Sequence, residues 1–423
     1  MKIAIITLGT RGDLQPYLAL GLGLQQAGHA VQLISSKNEA DFVSQYGLPY
    51  HALSVDIQQA MASRAGQKMA KGDNPLAFII SHLTGSDTMK KAMVAVQEEI
   101  WQACQGADAL IYHPGMANAF YMAKVLDIPC ILASPFPLTQ TRTYPAILFY
   151  AGPRLGAWYN QLTHFIFDHA FWLLSRSSAQ AFWQKQGKAS LISREPVSRL
   201  QVRSGMPVLY GYSSSLFPRP TDWPANVHVT GTWSLPPDPT WTPPIDLVRF
   251  LEAGDRPIYI GFGSLRDTAT FKKTLELIDR ALLSNQRAVV SLGQSSGLPP
   301  SMTDRIFLID SVPHSWLFGQ VAAVVHHGGA GTTATGLLAG RPTLIIPHTA
   351  DQPAWGQRVY ELGVGPKPIP RKKLTADRLV TGLIQLADHN IVERAVALGQ
   401  KMQTEHGVQQ AVQLINDYFE VKK

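Results

Sequence analysis

The sequence predicts an α/β protein built from two doubly wound parallel-sheet domains, and three observations carry that expectation. Short apolar runs, each followed by a glycine-bearing turn and a helical stretch, open the chain and start again near residue 258. A proline-rich stretch, SLPPDPTWTPP at residues 234–244, reads as an extended linker between the two series. The chain has 423 residues, more than one ordinary core holds, so two domains of roughly 200 residues each are expected. The boundaries read as a first domain at 1–233, the linker at 234–244 and a second domain at 245–406. A closing helix follows at 407–423.

The first half begins with a buried strand at residues 3–8, a turn at 9–13, a helix at 16–27 stopped by Gly28, and a strand at 31–35. Asp13 falls in the loop after the first strand, at the strand end where doubly wound sheets bind ligands. The alternative is a side chain that caps the helix that follows. Gly21 and Gly23 lie inside that helix without GxGxxG spacing, so they make no dinucleotide fingerprint. His29, at the helix end, reads as structural. Residues 40–100 read as helices with loose loops, and 109–112 and 130–133 as strands around a helix at 116–126. Aromatics crowd residues 144–183, which fit a helix pair packed on the domain, or else an apolar pocket or membrane-facing lid. Strands at 207–210 and 227–230 finish the half.

The second half repeats the scheme: a strand at 258–262, a turn at Gly263 and Ser264, a helix at 270–283, and strands at 288–292 and 306–309. Its most informative stretch is VVHHGGAGTTATGLLAGRPTLIIPHTADQ at 324–352. An apolar strand at 321–325 leads into two histidines and the glycines 328, 329 and 331, and then into a helix at 332–339. Backbone N–H groups at a helix N-terminus, approached through glycines, favour a phosphate. A further apolar run at 343–347 leads to Asp351 and Gln352, side chains suited to sugar hydroxyls.

Composition narrows the partners. The net charge is +7 with 16% charged residues, but no arginine-rich block or aromatic-basic repeat points to nucleic acid. The longest basic cluster is Arg371, Lys372 and Lys373. Two cysteines without metal spacing imply a reducing compartment, and no apolar run is long enough to span a bilayer. A cytoplasmic protein is expected. Basic charge beside the aromatic stretch is consistent with peripheral membrane contact. Adjacent histidines cannot readily converge on one ion, so no metal site is expected at His326 and His327.

Five motifs in register resemble the GT-B glycosyltransferases that use nucleotide sugars, nearest to the sterol 3-beta-glucosyltransferase and antibiotic glycosyltransferase branch of the UDP-glycosyltransferases. They are TRGDLQPY at 10–17, GFGS at 261–264, VPHSWLF at 312–318, HHGGAGTT at 326–333, and Asp351 with Gln352. The resemblance implies two facing Rossmann-like domains with an interdomain cleft, and inverting, metal-independent transfer of glucose from UDP-glucose to a lipophilic alcohol, with no cofactor. It implies Asp13 as general base. It also implies a donor site of Arg11, Gly12, Gly263, Ser264, Val312, His326, Gly328, Gly329, Ala330, Gly331, Thr332, Asp351 and Gln352. In that scheme His326 meets the diphosphate, Val312 lies where backbone holds the base, and the last two side chains grip the glucose. The acceptor site falls to the loops at 60–86 and 135–183, with Phe136 and Tyr144 as candidates.

The tryptophan that plant relatives stack on uracil is Ser311 here, and their ribose-binding glutamate is missing near Ala334. The choice of UDP or dTDP therefore stays open. A sugar-nucleotide epimerase and a non-catalytic nucleotide-sugar or lipid binder are the competing classes.

Overall fold

A computed structural model of the chain describes residues 1–56, 87–236, 238, 240–262, 268–284, 286–291, 304–310 and 312–420. It divides into two compact units, Met1–Leu235 with Glu405–Lys423, and Pro236–Thr404.

The first unit holds a seven-stranded, all-parallel sheet. In chain order its elements are β1 (Lys2–Ile6), α1 (Arg11–Gln26), β2 (Ala30–Ser36), β3 (Tyr50–Leu53), α2 (Asp87–Ala103), β4 (Ala109–Tyr112), α3 (Asn118–Leu126), β5 (Cys130–Ser134), α4 (Ala157–Lys185), α5 (Val197–Arg203), β6 (Val208–Tyr210) and β7 (Val227–Val229). The spatial order is β3-β2-β1-β4-β5-β6-β7. The central strands read as unbroken apolar runs because helices cover both faces: every residue of β4 and β5 is buried.

The closing helix α12 (Gly407–Glu420) belongs to this unit. Ala411, Ile415 and Phe419 share one core with Leu14, Tyr17, Leu20 and Leu24 of α1. Gly23 makes that contact possible, since a Cβ there would stand 2.5 Å from Val408 Cγ1. Gly21 does the same toward Leu48, at 2.7 Å. These two helix glycines serve close packing.

Two features depart from the expected pattern. The strand β3 replaces loose structure; YHAL has little apolar signal, and its pairing with β2 supplies the order instead. The helix pair expected across 144–183 is one 29-residue helix, α4, because no glycine or proline interrupts residues 157–185.

The second unit holds a five-stranded parallel sheet in the order β10-β9-β8-β11-β12. Its elements are α6 (Ile245–Glu252), β8 (Ile258–Gly261), α7 (Thr268–Ala281), β9 (Ala288–Ser291), β10 (Ile306–Leu308), β11 (Ala323–His326), α8 (Ala330–Leu338), β12 (Thr343–Ile345), α9 (Gln352–Glu361), α10 (Ala376–Leu386) and α11 (His389–Gln403). One core under the sheet joins Ile260, Val290, Val325 and Leu344 to α7 and α10, and another joins Tyr259, Val289 and Val324 to Leu247, Leu317 and Phe318.

Each sheet reverses its winding once, between β1 and β4 in the first unit and between β8 and β11 in the second. Crevices at the carboxyl ends of such strands are where open α/β sheets take ligands.

Candidate active site

At the first reversal point the chain leaves β1 and enters α1 at once. Asp13 therefore sits in the first turn of the helix and not in a free loop. Its Oδ2 accepts the Thr10 N–H at 2.7 Å and the Thr10 hydroxyl at 3.0 Å. A Cβ on Gly9 would come within 2.3 Å of that same oxygen, so Gly9 is the residue that makes room for the carboxylate. Gly12 is exposed. Arg11 turns away from Asp13: its Nε lies 3.3 Å from Glu39 Oε2, and its guanidinium covers the Phe42 ring at 4.5 Å.

His113, just past β4, joins this site without any motif in the sequence to announce it. Its N–H bonds to Ile6 O, which places it across the sheet from the start of the Asp13 turn. Nδ1 accepts the Gly115 N–H at 3.0 Å, so the neutral ring carries its proton on Nε2. That Nε2 is buried with no hydrogen-bond partner. Burial holds the imidazole below its usual pKa while the Asp13 charge pulls it upward. Tyr17 and Phe136 meet the ring edge-on.

A pocket opens beyond the ends of β4 and β5, lined by Tyr112, Leu132, Phe167, Phe171, Trp172 and Asp168 among others. Asp168 is its one acid. The carboxylate accepts from Arg199 Nε at 3.1 Å and Ser198 Oγ at 3.2 Å, yet burial outweighs both and pushes its pKa up to about 6. Neither acceptor candidate lines this pocket. Phe136 packs on His113, and Tyr144 is buried against Phe217 and Tyr150. Residues 60–86 lie outside the described residues.

At the second reversal point, His326 is the last residue of β11 and is fully buried. Its Nδ1 accepts the Gly328 N–H at 3.0 Å, and its Nε2 is enclosed without a partner. Burial first, then His327 and His314, hold its pKa well below the ordinary value. His326 thus braces the glycine turn from the end of the strand. His327 is only partly buried, and its ring lies against Gly329, where a Cβ would stand 2.8 Å from its Nε2.

Gly328 has φ +94°, and a Cβ there would meet Ile345 Cγ2 at 2.6 Å and Gln352 O at 3.2 Å, so the glycine turn and the Asp351–Gln352 turn pack directly together. Gly329, Ala330, Gly331 and Thr332 line the start of α8, all partly exposed. The first backbone N–H groups of a helix have no partners within it. Asp351 Oδ2 accepts Trp355 Nε1–H at 2.7 Å, and Gln352 Oε1 accepts the N–H groups of His348 and Thr349 at 2.8 and 3.2 Å. Both side chains are thus fixed before any ligand arrives.

Positive charge comes from Arg371, an exposed residue, with Nη1 3.3 Å from the His348 ring nitrogens. The His348 ring stands 6.1 Å from that of His327. Burial, Arg371 and His327 together hold the His348 pKa down at about 3. Val312 packs on the core formed by Leu247, Tyr259 and Phe318. Gly263, Ser264 and Ser311 lie outside the described residues.

Both halves of the chain are similar to known proteins. Residues 3–145 match the glycosyltransferase family 28 N-terminal domain, and residues 282–416 match the C-terminal domain described as erythromycin biosynthesis protein CIII-like. The chain is 34% identical over 419 residues to the sterol 3-beta-glucosyltransferase UGT80A2 of Arabidopsis thaliana, covering 97% of this chain and 64% of that protein. It is 31% identical to the sterol 3-beta-glucosyltransferase of Komagataella phaffii, covering all of this chain and 35% of the yeast protein. The chain thus spans under two thirds of these relatives.

Among solved structures, the kitacinnamycin glycosyltransferase superposes with a TM-score of 0.71 at 19% identity, covering 98% of both chains. The glycosyltransferase SnogD from Streptomyces nogalater superposes with a TM-score of 0.67 at 18% identity, covering 99% of this chain and 100% of that one. By its two matched domains, its sequence kinship and its fold, the chain belongs to the GT-B glycosyltransferases, in the branch that holds the sterol 3-beta-glucosyltransferases and the antibiotic glycosyltransferases.

Proposed function

We propose that this chain transfers glucose from UDP-glucose to a hydroxyl of a lipophilic alcohol, with inversion at the anomeric carbon and without a metal. The observation that carries the reading is the second unit's glycine turn, which brings the α8 N-terminus, His327 and Arg371 to one sheet end. These groups match a leaving diphosphate. Preorganised donors and positive charge, aimed where negative charge develops, commonly supply most of an enzyme's rate enhancement. His327, and not the buried His326, is the imidazole suited to that contact. Asp351 and Gln352 are the groups suited to the sugar hydroxyls.

In this scheme Asp13 removes the proton of the acceptor hydroxyl as oxygen attacks the anomeric carbon and the nucleoside diphosphate departs. The pocket of Phe167, Phe171 and Trp172 suits an apolar acceptor body. The sterol glucosyltransferase names of the relatives favour a sterol-like alcohol and a glucose donor.

A second donor has a specific observation behind it. Two similar structures hold thymidine diphosphates, SsfS6 and VinC, and the plant-type uracil platform is absent at Ser311. Incubation with UDP-glucose or dTDP-glucose, with and without a panel of sterols, terpenoid alcohols and phenols, tests the whole scheme. Acceptor-dependent UDP release and a β-linked product by proton NMR are expected, unchanged by EDTA. Release of UDP without any acceptor, or a changed sugar configuration in recovered donor, would replace transfer with hydrolysis or epimerisation.

A further inference from the structure

Helix α4 is apolar on two sides, which is unusual for a helix at the surface of a domain. Its inner side buries Phe167, Trp172, Phe182 and Trp183. Its outer side presents Trp158 at 74% exposure, Phe165 at 48% and Leu173 at 54%, just after Leu155 at 66%. Trp158, Leu162, Phe165, His169 and Leu173 follow helical spacing, so they form one row about 22 Å long. Isolated exposed apolar residues are ordinary, but here four of the ten large exposed ones among the described residues fall within residues 155–173. That clustering marks a contact surface.

Charge identifies what it contacts. Residues 141–188 carry Arg142, Arg154, Arg176, Lys185 and Lys188, with Lys185 paired to Glu98 of α2, and the single acid within the stretch, Asp168, is buried against Arg199. A second copy of the chain would bring two basic rims together, at a cost in like-charge repulsion. An anionic bilayer complements both the rim and the aromatic row, and Trp, Phe and Leu backed by Lys and Arg is the pattern of helices that lie in the membrane interface. No helix among the described residues is long and apolar enough to cross a membrane, so the contact would be peripheral.

We propose that the outer row of α4, from Leu155 to Leu173, seats on an anionic lipid surface. The same helix walls the apolar pocket with Phe167, Phe171 and Trp172, so one element faces lipid on one side and the pocket on the other. Resting on the acceptor reading above, this gives a membrane-dissolved alcohol a path to the pocket that is one helix wide.

The test is sedimentation of the full chain with phosphatidylcholine vesicles, with and without 30% phosphatidylglycerol. The wild type is expected to co-sediment with the anionic vesicles and to be released as salt rises. Trp158→Ser with Phe165→Ser is expected to lower the partition coefficient on the order of tenfold or more, because two exposed anchors are lost. Ile384→Ser, equally exposed on α10, is expected to change nothing. A wild type that stays in the supernatant, or a double variant that binds like wild type, would overturn the proposal. So would a dimer by sedimentation velocity that the double variant dissolves. Vesicle binding without transfer to any alcohol would defeat the acceptor reading alone, and transfer in detergent without vesicle binding would defeat this one alone.

Discussion

Thr10 and Asp13 are bonded twice through one oxygen: Asp13 Oδ2 takes both the Thr10 N–H and the Thr10 hydroxyl. The helix-capping role and the chemical role of Asp13 therefore coexist, since Oδ2 closes the first turn of α1 and sets the direction of Oδ1. Asp13→Asn separates them. An amide oxygen still accepts from Thr10, so unfolding free energy should stay within about 1 kcal/mol of wild type. Turnover should fall by roughly 10²–10⁴ while UDP affinity holds. Urea denaturation, calorimetric UDP binding and steady-state rates on one preparation decide it, and near-normal turnover would remove Asp13 as the base.

The paired histidines should respond in opposite ways. His326→Ala opens a hole at the end of β11 and strips the Gly328 N–H of its acceptor, so a loss of about 2–4 kcal/mol in stability is expected. His327→Ala, at a partly exposed position, should leave stability within about 1 kcal/mol and weaken UDP binding roughly tenfold. The reverse pattern would restore His326 as the diphosphate contact.

How far the residues alone led is clearest at these two sites. Parallel strands buried on both faces announce themselves as apolar runs, which is why both sheets could be read, and the HHGGAGTT turn announces itself through its glycines. The side of the turn to which His326 belongs could not be read. The strand runs one residue beyond the apolar pattern, and that residue is fully buried between two neighbouring strands. His113 gave no signal either, because its place depends on β1 and β4 being neighbours across more than a hundred residues. The aromatics of α4 stayed undecided between packed helix, pocket wall and membrane-facing lid for a different reason. In a helix apolar on both sides, periodicity cannot separate the wall of a cavity from a face that meets solvent or lipid.

Two buried groups in the first unit titrate with opposite consequences for stability. Burial lowers the His164 pKa from 6.5 to about 4. Unfolded chains take up that proton first as pH falls through 6.5, so its contribution is full above that pH and is lost toward pH 4. Burial raises the Asp168 pKa from 3.8 to about 6, so the folded state holds the extra proton between those values. Stability from Asp168 then grows as pH falls from 6 to 4. Each changes by at most about 1.4 kcal/mol per pH unit, and between pH 4 and 6 they oppose each other. His164→Asn should therefore lose about 2 kcal/mol less than wild type on going from pH 7 to pH 5. Asp168→Asn should lose more than wild type over the same interval. Urea denaturation at the two pH values checks both signs.

Gly328 and Gly23 are both needed for close approach, but between different partners, and this gives a paired test of the second unit's turn. Gly328→Ala places a Cβ at φ +94°, against Ile345 and the Gln352 carbonyl. The strain should cost about 1–3 kcal/mol and push the Asp351–Gln352 turn away from the start of α8. UDP-glucose binding should suffer more than UDP binding, since the sugar-facing side chains move relative to the phosphate turn. Gly23→Val instead drives a side chain into Val408 and lifts α12 from α1, so the melting temperature should fall without loss of donor affinity in the protein that stays folded. Calorimetry with UDP and UDP-glucose on both variants, beside thermal melts, distinguishes the two effects. Equal losses of both ligands in Gly328→Ala would mean that the turn acts on the phosphates alone, and the sugar role of Asp351 and Gln352 would then have no support.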